Sequence, residues 1–138
     1  MTKAEPFAHQ WVIPTVSLVV QKADLDPGYV TSILGIAPTS TRLPGADAWH
    51  PGSTDGLWVL RRGGHAADTV SEQLDAMLAS TAGAARALRE LAASGHRISL
   101  RIQGYAGNNA GFHLTGAQVG GLAALGVALE VVPNTNER

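Results

Sequence analysis

Few residues in this sequence have a type and spacing that could support catalysis or metal binding. The five histidines, at positions 9, 50, 65, 96 and 113, are scattered, and no two of them have the i, i+4 spacing of a metal-binding pair on a helix. The chain has no cysteine. We therefore predict no metal site and no bound cofactor.

Acid–base catalysis is the one enzymatic chemistry that the remaining side chains could support. It requires two titratable groups within hydrogen-bond reach of each other or of a shared water. His113 paired with His50 or Glu130 would meet that requirement, so these three residues are the catalytic candidates of an enzyme acting on a small organic substrate. The glycine-rich segments GYAGNNAG and RRGGH match neither a phosphate loop nor a dinucleotide fingerprint, and we interpret them as turns.

A binding surface is indicated by two segments of similar sequence in which polar and apolar residues alternate. ISLRIQ (98–103) has the period-two pattern of a strand with one buried face. VSLVVQ (16–21) matches it in residue or apolar type at every position except one, where Val19 stands in place of Arg101. The face predicted to point away from the core carries Ser17, Val19, Gln21, Ser99, Arg101 and Gln103. An ordinary solvated sheet face is the alternative interpretation.

Arg101, at the mismatch between the two segments, is the leading candidate for contact with a ligand or partner. A lone cation among polar neighbours suits a carboxylate, and a guanidinium also stacks on an indole ring. We therefore predict that Trp58 shares the exposed face with Arg101, which requires Leu57 and Val59 to point to the core. Glu130 joins this face if its own strand has the matching parity.

The longest irregular segment, residues 36–56, is the second binding candidate. It is rich in proline and glycine and carries Arg42, Trp49 and His50. Long loops in compact domains are often functional, and tryptophan and arginine are over-represented at binding hot spots. The alternatives are a tolerated surface loop, or a tryptophan that folds back onto the edge of the core.

Two strand–helix units must hold these residues in place. The strand at 98–103 is followed by a helix with a capping box of Thr115 and Gln118, and by a returning strand after Gly126. The strand at 16–21 is followed by a shorter helix that begins at Asp26 and Pro27. We interpret the two units as a diverged duplication; chance similarity of short apolar strands is the alternative.

A strand over LWVLRR (57–62) and one long helix over about 69–94 lie between these units. Thr69 and Glu72 have the spacing of a capping box at the start of that helix. The fold predicted is therefore α+β, a single antiparallel or mixed sheet with the helices on one face. It is ferredoxin-like, with a two-fold strand–helix repeat and a long middle helix.

Length and composition limit the protein's class. A chain of 138 residues suits a single domain, in which residues 1–10 and 134–138 are expected to be loose tails. A formal net charge of −1 gives no attraction to nucleic acid or to an anionic membrane. Because no apolar run is long enough for a signal peptide core or a membrane span, we expect a soluble cytoplasmic protein.

Several short motifs are similar to those of a known family. They are the Leu-Gly-Ile-x-Pro-Thr run at 34–39, Gly45 with the tryptophan that follows it, and the closing Gly-Asn…Gly-Phe-x-Leu-Thr…Leu-Gly pattern. Together with the long middle helix, they resemble the bacterial domain-of-unknown-function family numbered 4279 over nearly the whole chain. That resemblance implies no settled activity, cofactor or catalytic residue. Similar small bacterial domains often accompany toxin genes as immunity or accessory proteins.

The sequence favours a small non-catalytic binding domain, and the family resemblance implies an immunity or accessory type. Its partner would be a protein or a small organic ligand held by the exposed sheet face and the Trp49 loop, and the same face could form a homodimer. The first alternative is the enzyme that uses His50, His113 or Glu130. A dimeric scaffold without a ligand is the second alternative.

Overall fold

A computed structural model of the chain describes residues 9–10, 12–45, 55–63, 69–105 and 110–134. Their helices and strands are β1 (His9–Gln10), β2 (Val12–Lys22), α1 (Pro27–Leu34), β3 (Ser40–Arg42), β4 (Gly56–Gly63), α2 (Val70–Thr81), α3 (Ala85–Ala93), β5 (Arg97–Tyr105), β6 (Ala110–Gly111), α4 (Gly116–Leu125) and β7 (Ala128–Asn134). The predicted tails fall mostly outside the described residues, although β1 and β7 include residues 9, 10 and 134.

Five of these strands form one mixed sheet in the order β3-β4-β2-β5-β7. β2 lies at its centre and pairs antiparallel with β4 and β5, whereas β7 pairs parallel with β5. β1 and β6 form a separate two-residue parallel pair. The predicted mixed α+β fold is therefore confirmed. The prediction that residues 36–56 lack regular structure is wrong at β3, which pairs with β4.

The core lies between one face of this sheet and the four helices. Leu18 and Leu100 are register partners at the centre of the sheet, and both are fully buried. They belong to one hydrophobic cluster that includes residues from every helix, such as Val30, Leu74, Leu88 and Leu122. Burying a side chain of this size stabilises the fold by roughly 1.5–3 kcal/mol. The four helices therefore pack on one face of the sheet, and the opposite face is the one on which a binding site could lie.

Local sequence signals set the helix ends. Thr69 and Glu72 exchange side-chain and backbone hydrogen bonds at the start of α2, and Thr115 and Gln118 do the same at the start of α4. Gly126 ends α4 in the left-handed conformation, with a φ of 70° that glycine adopts without steric cost. The capping boxes and the glycine stop were all predicted from sequence, and all are confirmed.

The single long helix predicted over about 69–94 is wrong. The segment forms two helices, α2 and α3, separated by residues 82–84. Thr81 Oγ1 donates to the Met77 carbonyl at 2.8 Å, and the Ala84 N–H donates to the Thr81 carbonyl at 2.9 Å. Side-chain bonds of this kind compete with helix continuation, and Gly83 has a low helix propensity. The break allows α2 to pack on β2 and β4 while α3 packs on β5 and α1.

The two-fold strand–helix repeat remains a hypothesis. As the repeat predicts, β2 and β5 are neighbours in one sheet and their central leucines are both buried. The returning strands, however, occupy different places. β7 lies next to β5, whereas β3 is separated from β2 by β4.

The start of β2 contains an irregularity that a helix residue stabilises. Between Val12 and Thr15, β2 advances one residue more than β5 does, so the register shifts around Pro14. The Gln73 side chain of α2 spans this site, because its Nε2 donates to the Pro14 carbonyl at 2.6 Å and its Oε1 accepts from the Val16 N–H at 3.0 Å. Because a slip of one residue exchanges the two faces of a strand, the alternation that buries Val16, Leu18 and Val20 begins after this shift.

Candidate functional site

The sheet face opposite the helices, called the open face below, is built from rows of register partners. One row runs across four strands and places Arg61, Ser17, Arg101 and Glu130 side by side. The short serine side chain therefore lies between two arginines. Glu130 ends the row on β7.

Two further rows complete the centre of the open face. Ser40, Val59, Val19 and Ser99 form an adjacent row whose middle is apolar. Beyond it lie Arg42, Leu57, Gln21 and Arg97. An apolar strip is therefore enclosed between two rows that carry arginines.

These rows line a concave groove with a volume of about 380 Å³. Its lining residues are Ser17, Val19, Gln21, Ser40, Arg42, Leu57, Val59, Arg61, Arg101 and Gln103. Three of these described lining residues are arginines, and none of them is an aspartate or a glutamate. The groove is thus a cationic and partly apolar site on a chain whose formal net charge is −1.

Arg101 already has a carboxylate partner within the chain. Its Nε lies 3.0 Å from Glu130 Oε1, and Ser99 Oγ donates to the same oxygen at 3.3 Å. The Arg101 and Glu130 side chains are 37% and 47% exposed, so the pair is hydrated and contributes little to stability. Its main effect is to orient the Arg101 guanidinium along the row.

Arg42 is held differently, by a backbone group. Its Nε and Nη2 both donate to the Asp55 carbonyl oxygen, at 3.2 and 2.8 Å. The Asp55 carboxylate instead accepts hydrogen bonds from Gln21 Nε2 at 3.0 Å and from Arg97 Nη2 at 2.6 Å. Because a neutral carbonyl holds the Arg42 guanidinium, its positive charge is not neutralised by that contact.

The prediction that Trp58 lies on the open face is wrong. The indole is fully buried among the helices, where its Nε1 donates to Thr31 Oγ1 at 3.0 Å. Leu57 and Val59 occupy the open face instead. β4 carries large apolar residues on both faces, so alternation in its sequence could not decide which face is buried.

Of the six other predicted binding residues, five lie on the open face and one lies outside the described residues. Ser17, Arg42, Arg101 and Gln103 line the groove, and Ser99 lies in the adjacent apolar row. Trp49 lies outside the described residues. Arg61 was not among the predicted binding residues, although its i+2 and i+4 spacing from Val59 and Leu57 indicates that all three lie on one strand face.

The acid–base candidates are not joined into a pair. Glu130 binds Arg101 and Ser99 on the open face, whereas His113 is an exposed residue that precedes α4. The described part of the chain contains no hydrogen bond or ion pair between Glu130 and His113. His50 lies outside the described residues. Catalysis by these residues therefore gains no support from the geometry.

Two further properties concern metal ions and membranes. Among the residues that the structure describes, no three histidine, aspartate or glutamate side chains are grouped in a way that could hold a metal ion. No helix in the described ranges combines the length and the apolar character needed to cross a membrane.

Comparison with known proteins identifies one family. The model of the family described as Domain of unknown function (DUF4279) matches residues 9–136, which include every described strand and helix. No curated protein and no solved structure matches the chain.

Proposed function

The chain belongs to the DUF4279 family, whose description names no activity, and we propose from its residues that it is a non-catalytic binding domain. Its binding site is the groove on the open face, with Arg42, Arg101 and Gln103 of the predicted set among the contacts. The ligand is a small organic molecule or a segment of a partner protein. An accessory role of this kind needs recognition and no reacting group.

The proposal rests on one observation. The open face forms a concave groove that combines positive charges with an apolar floor. Ligand sites typically join an apolar lining to a few polar groups, in pockets of roughly 300–1,000 Å³. The groove, at about 380 Å³, fits the lower end of that range. A purely solvated sheet face would be flat and would not enclose a groove of this volume.

A screen of small-molecule fragments by two-dimensional NMR tests the proposal. We expect a subset of fragments to shift the backbone signals of β2, β4 and β5 together with the guanidinium Nε–H signals of Arg61 and Arg101. Val59→Trp should abolish these shifts by filling the groove, because Val59 is half-buried in its floor.

Leu43→Trp is the matched control for this screen. Leu43 is 64% exposed and is not among the lining residues, so the same added indole should leave binding unchanged. Fragments that shift only helix signals, or that bind equally to the Val59→Trp variant, would contradict the proposal.

Histidine variants separate binding from the alternative enzymatic function. On the proposal, His50→Ala and His113→Ala bind the groove ligands as well as the natural chain does. Loss of an activity in either variant, with groove binding intact, would favour the enzyme.

We also propose that the protein is soluble and cytoplasmic, and we expect that it can form a homodimer through the open face. Sedimentation velocity of the natural chain and the Val59→Trp variant tests the latter. A dimer that only the natural chain forms would make a second copy the occupant of the open face.

A further inference from the structure

The charge of the groove defines the class of ligand that fits it. Arg42 and Arg61 bring positive charges that no carboxylate balances among the described contacts, since Arg42 binds a carbonyl and the Arg61 side chain makes no ion pair there. Arg101 binds Glu130 through Nε. Its two Nη groups have no hydrogen-bond acceptor within the described ranges. The groove therefore favours an anion.

The spacing of two arginines suits one carboxylate. Arg61 and Arg101 are both register partners of Ser17, on opposite sides of it. Because neighbouring strands lie about 4.7–4.9 Å apart, their backbones are about 10 Å apart. The short Ser17 side chain leaves space between the two arginines, and planar guanidinium groups are well suited to binding both oxygens of one carboxylate.

The adjacent apolar row defines the rest of the ligand. Val19 and Val59 are register partners that lie beside the Arg61–Ser17–Arg101 row, and Leu57 lies beyond them. Val19 is 4% exposed and forms the bottom of the groove, so an apolar group attached to the bound carboxylate would cover mainly the half-buried Val59 and Leu57. The volume of about 380 Å³ limits that group to the size of a small molecule.

We infer that the groove binds a small organic acid, with its carboxylate on Arg61 and Arg101 and its apolar body over Val19 and Val59. The inference rests on the proposed function and adds the chemical class of the ligand. Glu130 affects binding in two ways. It orients the Arg101 guanidinium, and its negative charge repels the carboxylate of the ligand.

Isothermal titration calorimetry with two isosteric probes, 4-phenylbutyrate and 4-phenylbutyramide, tests the inference on the full chain. We expect the acid to bind and the amide to bind at least about tenfold more weakly, since the amide carries no negative charge and offers the arginines one acceptor oxygen instead of two. Added KCl should weaken binding of the acid more than that of the amide, because salt screens charges on an exposed face.

Charge-matched variants locate the contact. Arg61→Ala and Arg101→Ala should each lower the affinity for the acid about tenfold or more, as the loss of a hydrogen bond to a charged group does. Arg86→Ala is the control, because Arg86 lies on α3 with an 86% exposed side chain and carries the same charge. It should leave the affinity unchanged.

A second matched pair tests the part of Glu130. Glu130→Gln removes the repulsive charge but keeps an oxygen that can accept from Arg101 Nε, so it should strengthen binding of 4-phenylbutyrate several-fold. Glu90→Gln removes the carboxylate of the Arg86–Glu90 pair on α3 and should have no effect. A merely structural Glu130 would not produce tighter binding.

The outcomes separate this inference from the proposed function. Equal binding of acid and amide in the groove, with silent arginine variants, would overturn the organic-acid inference and leave the binding domain standing. Binding of neither probe would also overturn the inference, while the fragment screen decides the proposed function independently. Tighter binding of a peptide with a C-terminal phenylalanine than of 4-phenylbutyrate would replace the small acid by a protein terminus.

Discussion

Gln73 is a residue whose substitution should have a large and specific effect on stability. Its side chain is 3% exposed and satisfies two buried backbone groups, the Pro14 carbonyl at 2.6 Å and the Val16 N–H at 3.0 Å. Gln73→Leu leaves both groups without a partner at similar side-chain volume. Each unsatisfied group costs about 1–3 kcal/mol, so the expected loss is roughly 2–6 kcal/mol before any gain from burying leucine.

Urea unfolding of the two proteins, with amide hydrogen exchange at Val16, measures this effect. The Val16 amide should lose protection even under native conditions, because its acceptor is removed. Gln103→Leu is the matched control, since Gln103 is exposed on the same sheet and its replacement should change stability by no more than about 0.5 kcal/mol. A loss below about 1 kcal/mol for Gln73→Leu, or equal losses in both variants, would refute the assigned role of Gln73.

Three further predictions concern the core, the turns and one ion pair. Leu88→Ala should lower the free energy of unfolding in urea by roughly 2–5 kcal/mol, because Leu88 is fully buried in the core; a loss below about 1 kcal/mol would contradict that packing. Gly126→Ala should cost about 1–2 kcal/mol because its φ is 70°. Gly83→Ala should stabilise the protein by about 0.4–1 kcal/mol, because φ at Gly83 is not positive and no atom lies near the added Cβ. Thermal unfolding measures both variants, and a shift of the melting temperature in the same direction for both would contradict this prediction. The pKa of Asp24 lies below its ordinary value of 3.8, because Lys22 Nζ donates a hydrogen bond to the carboxylate and its charge adds attraction. This pair therefore stabilises the native state above the unfolded pKa and ceases to do so as the pH falls through the folded one. An NMR titration should give a midpoint that Lys22→Met moves back toward 3.8, and an unmoved midpoint would rule out the assigned cause.

The central strands could be predicted from sequence because their polar and apolar residues alternate cleanly. That pattern placed Ser17 and Arg101 away from the helices, and the capping box at Thr115 marked the start of α4. Trp58 could not be placed in the same way, because its neighbours on β4 are apolar on both faces. The break at Gly83 was missed because apolar residues continue at helical spacing on both sides of it.

The contacts that assemble the groove depend on pairings between distant segments. Arg101 meets Glu130 only because β7 adds parallel to β5, and no local pattern at either residue specifies that pairing. The register shift near Pro14 is likewise stabilised by Gln73, from a helix 59 residues further along the chain. The spacing along β4 places Arg61 on one face with Val59 and Leu57, but only the pairing of β4 with β2 places it beside Ser17.

Intermolecular nuclear Overhauser effects between 4-phenylbutyrate and the methyl groups of the chain test most directly whether the open face is the binding site. We expect contacts from the aromatic ring of the ligand to the methyls of Val19 and Val59, which lie in the groove floor. These contacts should weaken in Arg61→Ala at the same ligand concentration. Contacts to helix-side methyls such as Val30 or Leu74, with none to Val19 or Val59, would contradict the assignment of the open face as the binding site.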